Sequence, residues 1–137
     1  MKKAVFVVTK SQGSDTTLAQ HIKKLGYAVE VNPAIETRAM LSPEAFTEMR
    51  SKIQQALYEG IVFTSVRAVH ILAQQNGFPF PEYLPIFAQS ESTALAVKEN
   101  FGRQALIPHD RFVSEAVADL VAHQLNAGAV VCFPAAK

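Results

Sequence analysis

Hydrophobic positions along this chain follow two alternating patterns. Short runs of consecutive apolar residues, typical of strands covered on both faces, alternate with stretches in which apolar residues recur every three or four positions, as in amphipathic helices. The runs predict six strands, at residues 3–9, 27–31, 61–63, 86–88, 105–107 and 129–133. The stretches between them predict five helices, at about 14–25, 42–59, 65–76, 90–101 and 114–126. Such strict alternation favours an α/β fold, with a parallel sheet and helices on both of its faces.

Polar and glycine residues mark the expected ends of the helices. The second helix has the clearest start, because Ser42 supplies a capping hydroxyl, Pro43 suits the first helical position and Glu44 places an acid in the first turn. Its expected apolar stripe is Phe46, Met49, Ile53 and Leu57. Two further serines are predicted caps, Ser14 and Ser114. The glycines predicted to end helices are Gly26, Gly60, Gly77 and Gly102.

The composition is that of an ordinary globular domain without a strong electrostatic field. Apolar residues make up 49% and charged residues 18%, and the formal net charge of +1 gives no global attraction to nucleic acid or membrane. The single cysteine, Cys132, lies in an apolar run, which predicts a buried strand residue and fits a reducing compartment. The apolar run at residues 4–8 is too short for a signal peptide, so we expect a cytoplasmic protein.

Hydroxyl groups recur where predicted strands turn into helices. The four histidines, His21, His70, His109 and His123, have no metal-ligand spacing, and no phosphate-binding glycine loop is present. The candidate binding residues are instead Thr9 and Lys10, Thr64 and Ser65, Ser90, Ser92 and Thr93, and Ser114. Helix starts expose backbone N–H groups and a positive dipole end, and in open α/β sheets they meet at one edge, which suits an anionic ligand. Plain helix capping is the alternative for any one of these residues.

Several segments together resemble the uroporphyrinogen-III synthase family. Residues 61–69 (IVFTSVRAV) are similar to its IFTS-x-x-AV signature, and 92–96 (STALA) to its G-x-x-T-A turn. Residues 33–36 (PAIE) match its P-x-I-E segment, and 7–13 resemble its opening strand and T-R-P-x-G turn. Residues 107–115 carry its P…SE pattern. The order and spacing agree along the whole chain, which resembles the N-terminal half of a family member.

The resemblance implies a flavodoxin-like α/β fold of two domains, the first built from both ends of the polypeptide and the second inserted into it. Residues 1–33 would begin the first domain, and 34–137 would form most of the second. Roughly the C-terminal half of a family member would then be absent. A half-domain with an exposed sheet edge could also associate with another copy, although the family is monomeric.

The resemblance also implies a reaction without cofactor or metal. Linear hydroxymethylbilane loses water and closes through a spiro intermediate to uroporphyrinogen III, with its last pyrrole ring inverted. Backbone N–H groups and hydroxyls in a cleft between the domains would hold the polycarboxylate, with Ser65 and Thr93 as the best-supported contacts. Lys10 stands in the place of a family arginine, and Ser90 in the place of a glycine.

The catalytic group stays unassigned on this resemblance. The tyrosine proposed to assist the loss of water would belong to a strand beyond Lys137. The alternative interpretation of the chain is a catalytically incompetent fragment, or a polycarboxylate-binding module of the same fold. A receiver-type regulatory domain is disfavoured, because its strand-end acids are replaced by Thr9, Lys10, Thr64 and Ser65.

Overall fold

The computed structural model describes residues 5–9, 17–33, 42–75 and 80–134. Strands and helices alternate along most of these segments, as the hydrophobic pattern predicts. The elements, in chain order, are β1 (Val5–Val8), α1 (Thr17–Lys24), β2 (Ala28–Val31), α2 (Pro43–Gln54), β3 (Gly60–Phe63), α3 (Val66–Ala73), β4 (Ile86–Ala88), α4 (Glu91–Phe101), α5 (Ser114–Gln124) and β5 (Val131–Cys132).

Internal contacts divide the chain into two compact units, Met1–Met40 and Leu41–Lys137. In the smaller unit, β1 and β2 form a parallel pair that runs from Val5 opposite Ala28 to Val8 opposite Val31. The helix before β2 ends near Gly26, whose φ of +88° confirms the predicted glycine stop. The expected boundary between residues 33 and 34 stays a prediction, because 34–41 lie outside the described residues.

The larger unit contains a three-stranded parallel sheet in the order β4-β3-β5. Leu106 extends it beside β4 through two hydrogen bonds: its N–H donates to the Ile86 carbonyl at 2.7 Å, and its carbonyl accepts from the Ala88 N–H at 2.8 Å. The strand predicted at 105–107 is therefore reduced to one bridge between Leu106 and Phe87. Pro108 explains the short length, since the ladder would next need an N–H at that position and proline has none.

Helices pack on both faces of this sheet, which confirms the predicted fold class. Alternate strand residues point to opposite faces. Ile61, Phe63 and Ile86 belong to a core cluster that also contains residues of α2, α3 and α4. Val62 and Phe87 belong to a second cluster with residues of α5. All four residues of β3 are buried, as expected of a central strand covered on both sides.

The end of α2 differs from the prediction. The helix stops at Gln54, and Ala56 then adopts a left-handed φ of +55°. Leu57 is 53% exposed, so it does not extend the stripe that Phe46, Met49 and Ile53 place against the core. Gly60 is the first residue of β3 and not a helix stop.

Close packing explains why residue 60 is a glycine. A Cβ atom at this position would lie 3.1 Å from Phe87 Cε2 and 3.3 Å from Leu125 Cδ1. These contacts come from both the neighbouring strand and the end of the α5 region. A larger side chain would therefore push against the second core cluster.

Other predicted boundaries have mixed outcomes. Ser42 caps α2 with its hydroxyl, and Gly102 ends α4 with a φ of +66°, as expected. Ser114 is not a cap: the N-cap of α5 is Val113, which makes no side-chain capping bond, and Ser114 is the first helical residue. The predicted cap Ser14 and stop Gly77 lie outside the described residues.

Cys132 lies in β5 and is 7% exposed, which confirms its predicted burial in a strand. That burial raises the pKa of its thiol to about 11, so the side chain stays protonated and unreactive at neutral pH. Within the described segments, no helix has both the length and the apolar character needed to cross a bilayer.

Candidate functional site

The carboxyl ends of β3 and β4 bring two groups of predicted site residues to one edge of the sheet. The strands are parallel, with Phe63 opposite Ala88, so Thr64 and Ser65 emerge beside Gln89 and Ser90. The Gln89 N–H donates to the Phe63 carbonyl at 3.0 Å and continues the pairing one residue beyond β4. The starts of α3 and α4 therefore lie at the same edge of the sheet, as expected for helices that follow parallel strands.

Ser65 begins α3 in the manner of a helix cap. Its backbone is extended, with φ −148° and ψ 145°, and its Oγ accepts the Ala68 N–H at 3.2 Å. The first turn of α3 contains no acidic residue, and it carries the exposed Arg67. The positive end of the helix dipole is therefore not offset at this start, which favours an anion. Thr64, before the cap, is half-buried.

The start of α4 carries a cluster of three hydroxyl groups. Ser90 Oγ accepts the Thr93 N–H at 3.3 Å and lies 3.0 Å from Ser92 Oγ and 3.1 Å from Thr93 Oγ1. Thr93 is only 2% exposed, so it supports Ser90 from inside the protein. Ser90 and Ser92 are the members that a ligand in solvent can meet.

Serine at position 90 fits its backbone without strain. The resemblance places a glycine here, which would matter if the turn required a left-handed φ. Ser90 instead adopts φ −144° and ψ 165°, an extended conformation open to any residue. Its hydroxyl therefore caps α4 at no conformational cost.

Gln89 is a residue of this edge that the predicted site left out. Its side-chain Nε2 donates to the Phe112 carbonyl at 3.1 Å and ties the segment before α5 to the end of β4. Ser114, one of the predicted contacts, is exposed in the first turn of α5 but does not cap it. The sequence signal for Gln89 is an amide placed directly after a buried strand.

The remaining predicted contacts belong to the smaller unit. Thr9 follows β1 and is exposed. Lys10 lies outside the described residues, so its role stays a prediction. Among the described residues, no group of three or more His, Cys, Asp or Glu side chains is arranged to hold a metal ion. The side chains of His21, His70, His109 and His123 are all exposed.

A family sequence model, described as uroporphyrinogen-III synthase HemD, matches residues 16–137. The chain belongs to the uroporphyrinogen-III synthase family. This membership agrees with the resemblance carried by residues 61–69, whose Thr64 and Ser65 form the turn between β3 and α3. A comparison with curated protein sequences gives no match.

A solved structure shows the same fold. The crystal structure of uroporphyrinogen-III synthetase from Helicobacter pylori 26695 superposes with a TM-score of 0.70 at 17% sequence identity. The match covers 90% of the present chain and 55% of that chain. This chain therefore spans about half the length of a uroporphyrinogen-III synthase structure that it matches.

Proposed function

We propose that this chain supplies a carboxylate-binding wall of a uroporphyrinogen-III synthase. The enzyme would convert hydroxymethylbilane into uroporphyrinogen III, with inversion of the last pyrrole ring, as a step of tetrapyrrole (haem) biosynthesis in the cytoplasm. One observation supports the binding role most directly: in a member of this family, two serine-capped helices begin side by side at the carboxyl edge of one parallel sheet. Such starts offer N–H and hydroxyl donors to carboxylates.

The contribution of these residues is to bind and orient the substrate. Ring closure requires the two ends of a flexible chain of four pyrroles to meet in one geometry. Fixing the carboxylates of several rings removes much of that conformational freedom before the bond forms. The group that assists departure of water is assigned to no residue of this chain, so we propose positioning as the role of this part of the site.

The two helix starts differ in charge. The first turn of α4 contains Glu91, whereas that of α3 contains no acid and carries Arg67. A carboxylate near Glu91 is repelled unless a cation offsets it. We therefore expect the strongest carboxylate contact at α3, through Ser65 and the N–H groups of its first turn, with Arg67 adding positive charge.

Binding without turnover is the second candidate function. The chain spans 55% of the compared synthase structure, so a site that needs residues from the remaining length would not be complete within it. A polycarboxylate would then bind, and ring closure would proceed as it does in water.

A cyclisation assay tests the proposal. The purified chain receives hydroxymethylbilane made enzymatically, and the type I and type III uroporphyrin isomers are separated after oxidation. Spontaneous closure gives type I. Type III above the blank supports the synthase function of this chain, whereas type I alone, together with saturable uroporphyrin binding, supports the binding module.

Two variants of Ser65 test the proposed contact between its hydroxyl group and a carboxylate of the ligand. Ser65→Gly removes the hydroxyl but costs the helix start only a few tenths of a kcal/mol, and Ser65→Thr retains a hydroxyl. We expect uroporphyrin binding to weaken about fivefold in the glycine variant and to be largely retained in the threonine variant. Ser42→Gly, which removes the equivalent cap hydroxyl at the start of α2, is the matched control and should leave uroporphyrin binding unchanged. Absence of any saturable binding by the unmodified chain would contradict both candidate functions.

A further inference from the structure

Gln89 connects three parts of the larger unit. Its backbone N–H donates to the Phe63 carbonyl at 3.0 Å, which fixes it at the end of β3. Its side-chain amide donates to the Phe112 carbonyl at 3.1 Å. It also immediately precedes Ser90, the centre of the hydroxyl cluster. The Gln89 side chain therefore ties Phe112 to the residue that precedes the start of α4.

The start of α5 differs from the starts of α2, α3 and α4, because it has no side-chain cap. The helices α2, α3 and α4 each begin with a serine whose Oγ accepts an N–H of the first turn. The N-cap of α5 is Val113, which has no oxygen in its side chain and makes no such bond. The side-chain amide of Gln89 instead donates to the carbonyl of Phe112, one residue before this N-cap, and so anchors the segment to the end of β4.

The anchored segment carries the positive charge that the start of α4 lacks. Arg111 is exposed and precedes Phe112 directly, so its Cα lies about 3.8 Å from that of the anchored residue. Among the described residues, no ion pair joins Arg111 to an acid. Glu91 lies in the first turn of α4, Glu115 lies in that of α5, and Asp110 precedes Arg111. Without a cation, these acids would repel a carboxylate from the hydroxyl cluster.

We propose that Gln89 is a positioning residue that holds Arg111 where it pairs with a carboxylate of the substrate beside Ser90 and Ser92. The proposal rests on the function proposed above and adds a second carboxylate contact to the one at α3. A guanidinium binds a carboxylate through two parallel N–H donors, and this geometry requires a fixed backbone. Phe112, 46% exposed, places apolar surface next to that contact, as a pyrrole ring with charged substituents would require.

A double-mutant cycle on the whole chain tests the proposal, with uroporphyrin III as the probe and its fluorescence as the signal. The variants are Gln89→Leu, Arg111→Gln and the combination of both. We expect each single change to raise Kd about tenfold at low salt. The combination should raise Kd no further than the larger single effect, because Gln89 acts through Arg111. Gln89→Glu, which keeps the size of the side chain and loses the donor, should raise Kd at least as much as Gln89→Leu.

Controls separate this role from a general effect on folding. Gln104→Leu changes an exposed glutamine ahead of Leu106 and should leave Kd unchanged. Hydrogen exchange should show faster exchange at residues 110–116 in Gln89→Leu, with the core strands unchanged. Because Arg111 is exposed, we expect Arg111→Gln to have the same melting temperature as the unmodified chain.

Three results would overturn the proposal. If the unmodified chain does not bind uroporphyrin III, both the proposed function and this inference are wrong. If binding is intact and Gln89→Leu has the same Kd, only the inference fails. If the two single effects multiply in the double variant, Gln89 supports the fold and does not act through Arg111.

Discussion

At the scale of single residues, Arg103 makes four side-chain hydrogen bonds to one loop of the larger unit. Its guanidinium donates to four backbone carbonyls, those of Phe80, Pro81, Glu82 and Leu84, at 2.7–3.1 Å. This loop leads into β4, which ends at the proposed binding edge. A planar fork of donors suits several carbonyls at once, whereas a lysine ammonium is a point charge.

We therefore predict that Arg103→Lys lowers the free energy of unfolding by about 1–2 kcal/mol, and Arg103→Gln by about 2–4 kcal/mol. Urea denaturation followed by circular dichroism measures both values. Arg50→Lys, on the partly exposed surface of α2, is the matched control and should stay within about 0.5 kcal/mol of the unmodified chain. Equal stability of Arg103→Gln and the unmodified chain would show that the four bonds contribute nothing net.

At the scale of elements, the cap of α4, Ser90, also contacts the buried hydroxyl group of Thr93. Ser90→Ala removes the cap and also leaves Thr93 Oγ1, in a residue 2% exposed, without the partner that lies 3.1 Å away. We predict a loss of about 2 kcal/mol, of which roughly half is the cap and half the unpaired hydroxyl. Adding Thr93→Val should recover about 1 kcal/mol, because both polar partners are then gone.

Thermal unfolding of the single and double variants checks this prediction. Ser42→Ala removes the cap of α2 and leaves no buried hydroxyl group without its partner. It therefore provides the reference for the loss of a cap alone. Should the double variant be less stable than Ser90→Ala, Thr93 would have a second partner that compensates for Ser90.

The elements also show what the sequence could predict. The apolar run 61–63 predicted a strand buried on both faces, and β3 is buried at every position. Ser42 and Gly102 placed the start of α2 and the end of α4 correctly, because capping is a local effect. The likeness in residues 61–69 pointed to Thr64 and Ser65, which lie between β3 and α3 at the edge where we propose that the substrate binds.

Two of the failures have non-local causes. Gly60 looked like a helix stop, but its small size serves packing against Phe87 and Leu125, which are distant in sequence. Gln89 was left out because its partner, the Phe112 carbonyl, is 23 residues away and known only once the chain is folded. Ser114 was predicted as a cap from residue type alone, and the helix begins one position earlier than that prediction required.

At the scale of the whole molecule, the two units differ in how much apolar surface they bury. The larger unit has clusters on both faces of its sheet. In the smaller unit, Val5, Phe6 and Val7 are 57%, 43% and 57% exposed, and Ala19 is the one buried residue among those described there. The two strands and one helix formed by the described residues of this unit bury so little that they have marginal stability on their own.

We predict from this difference that hydrogen exchange in the 137-residue chain is uneven. Amides of β1 and β2 should exchange with an opening free energy below about 2 kcal/mol, whereas those of β3 and β4 should approach the global value of about 5 kcal/mol or more. Exchange measured by mass spectrometry on peptides from each unit gives both values. Equal protection would mean that the exposed strands of the smaller unit are covered in solution. Repeating the exchange over a hundredfold range of protein concentration then decides whether a second copy of the chain covers them, because protection by self-association falls on dilution and protection within one chain does not.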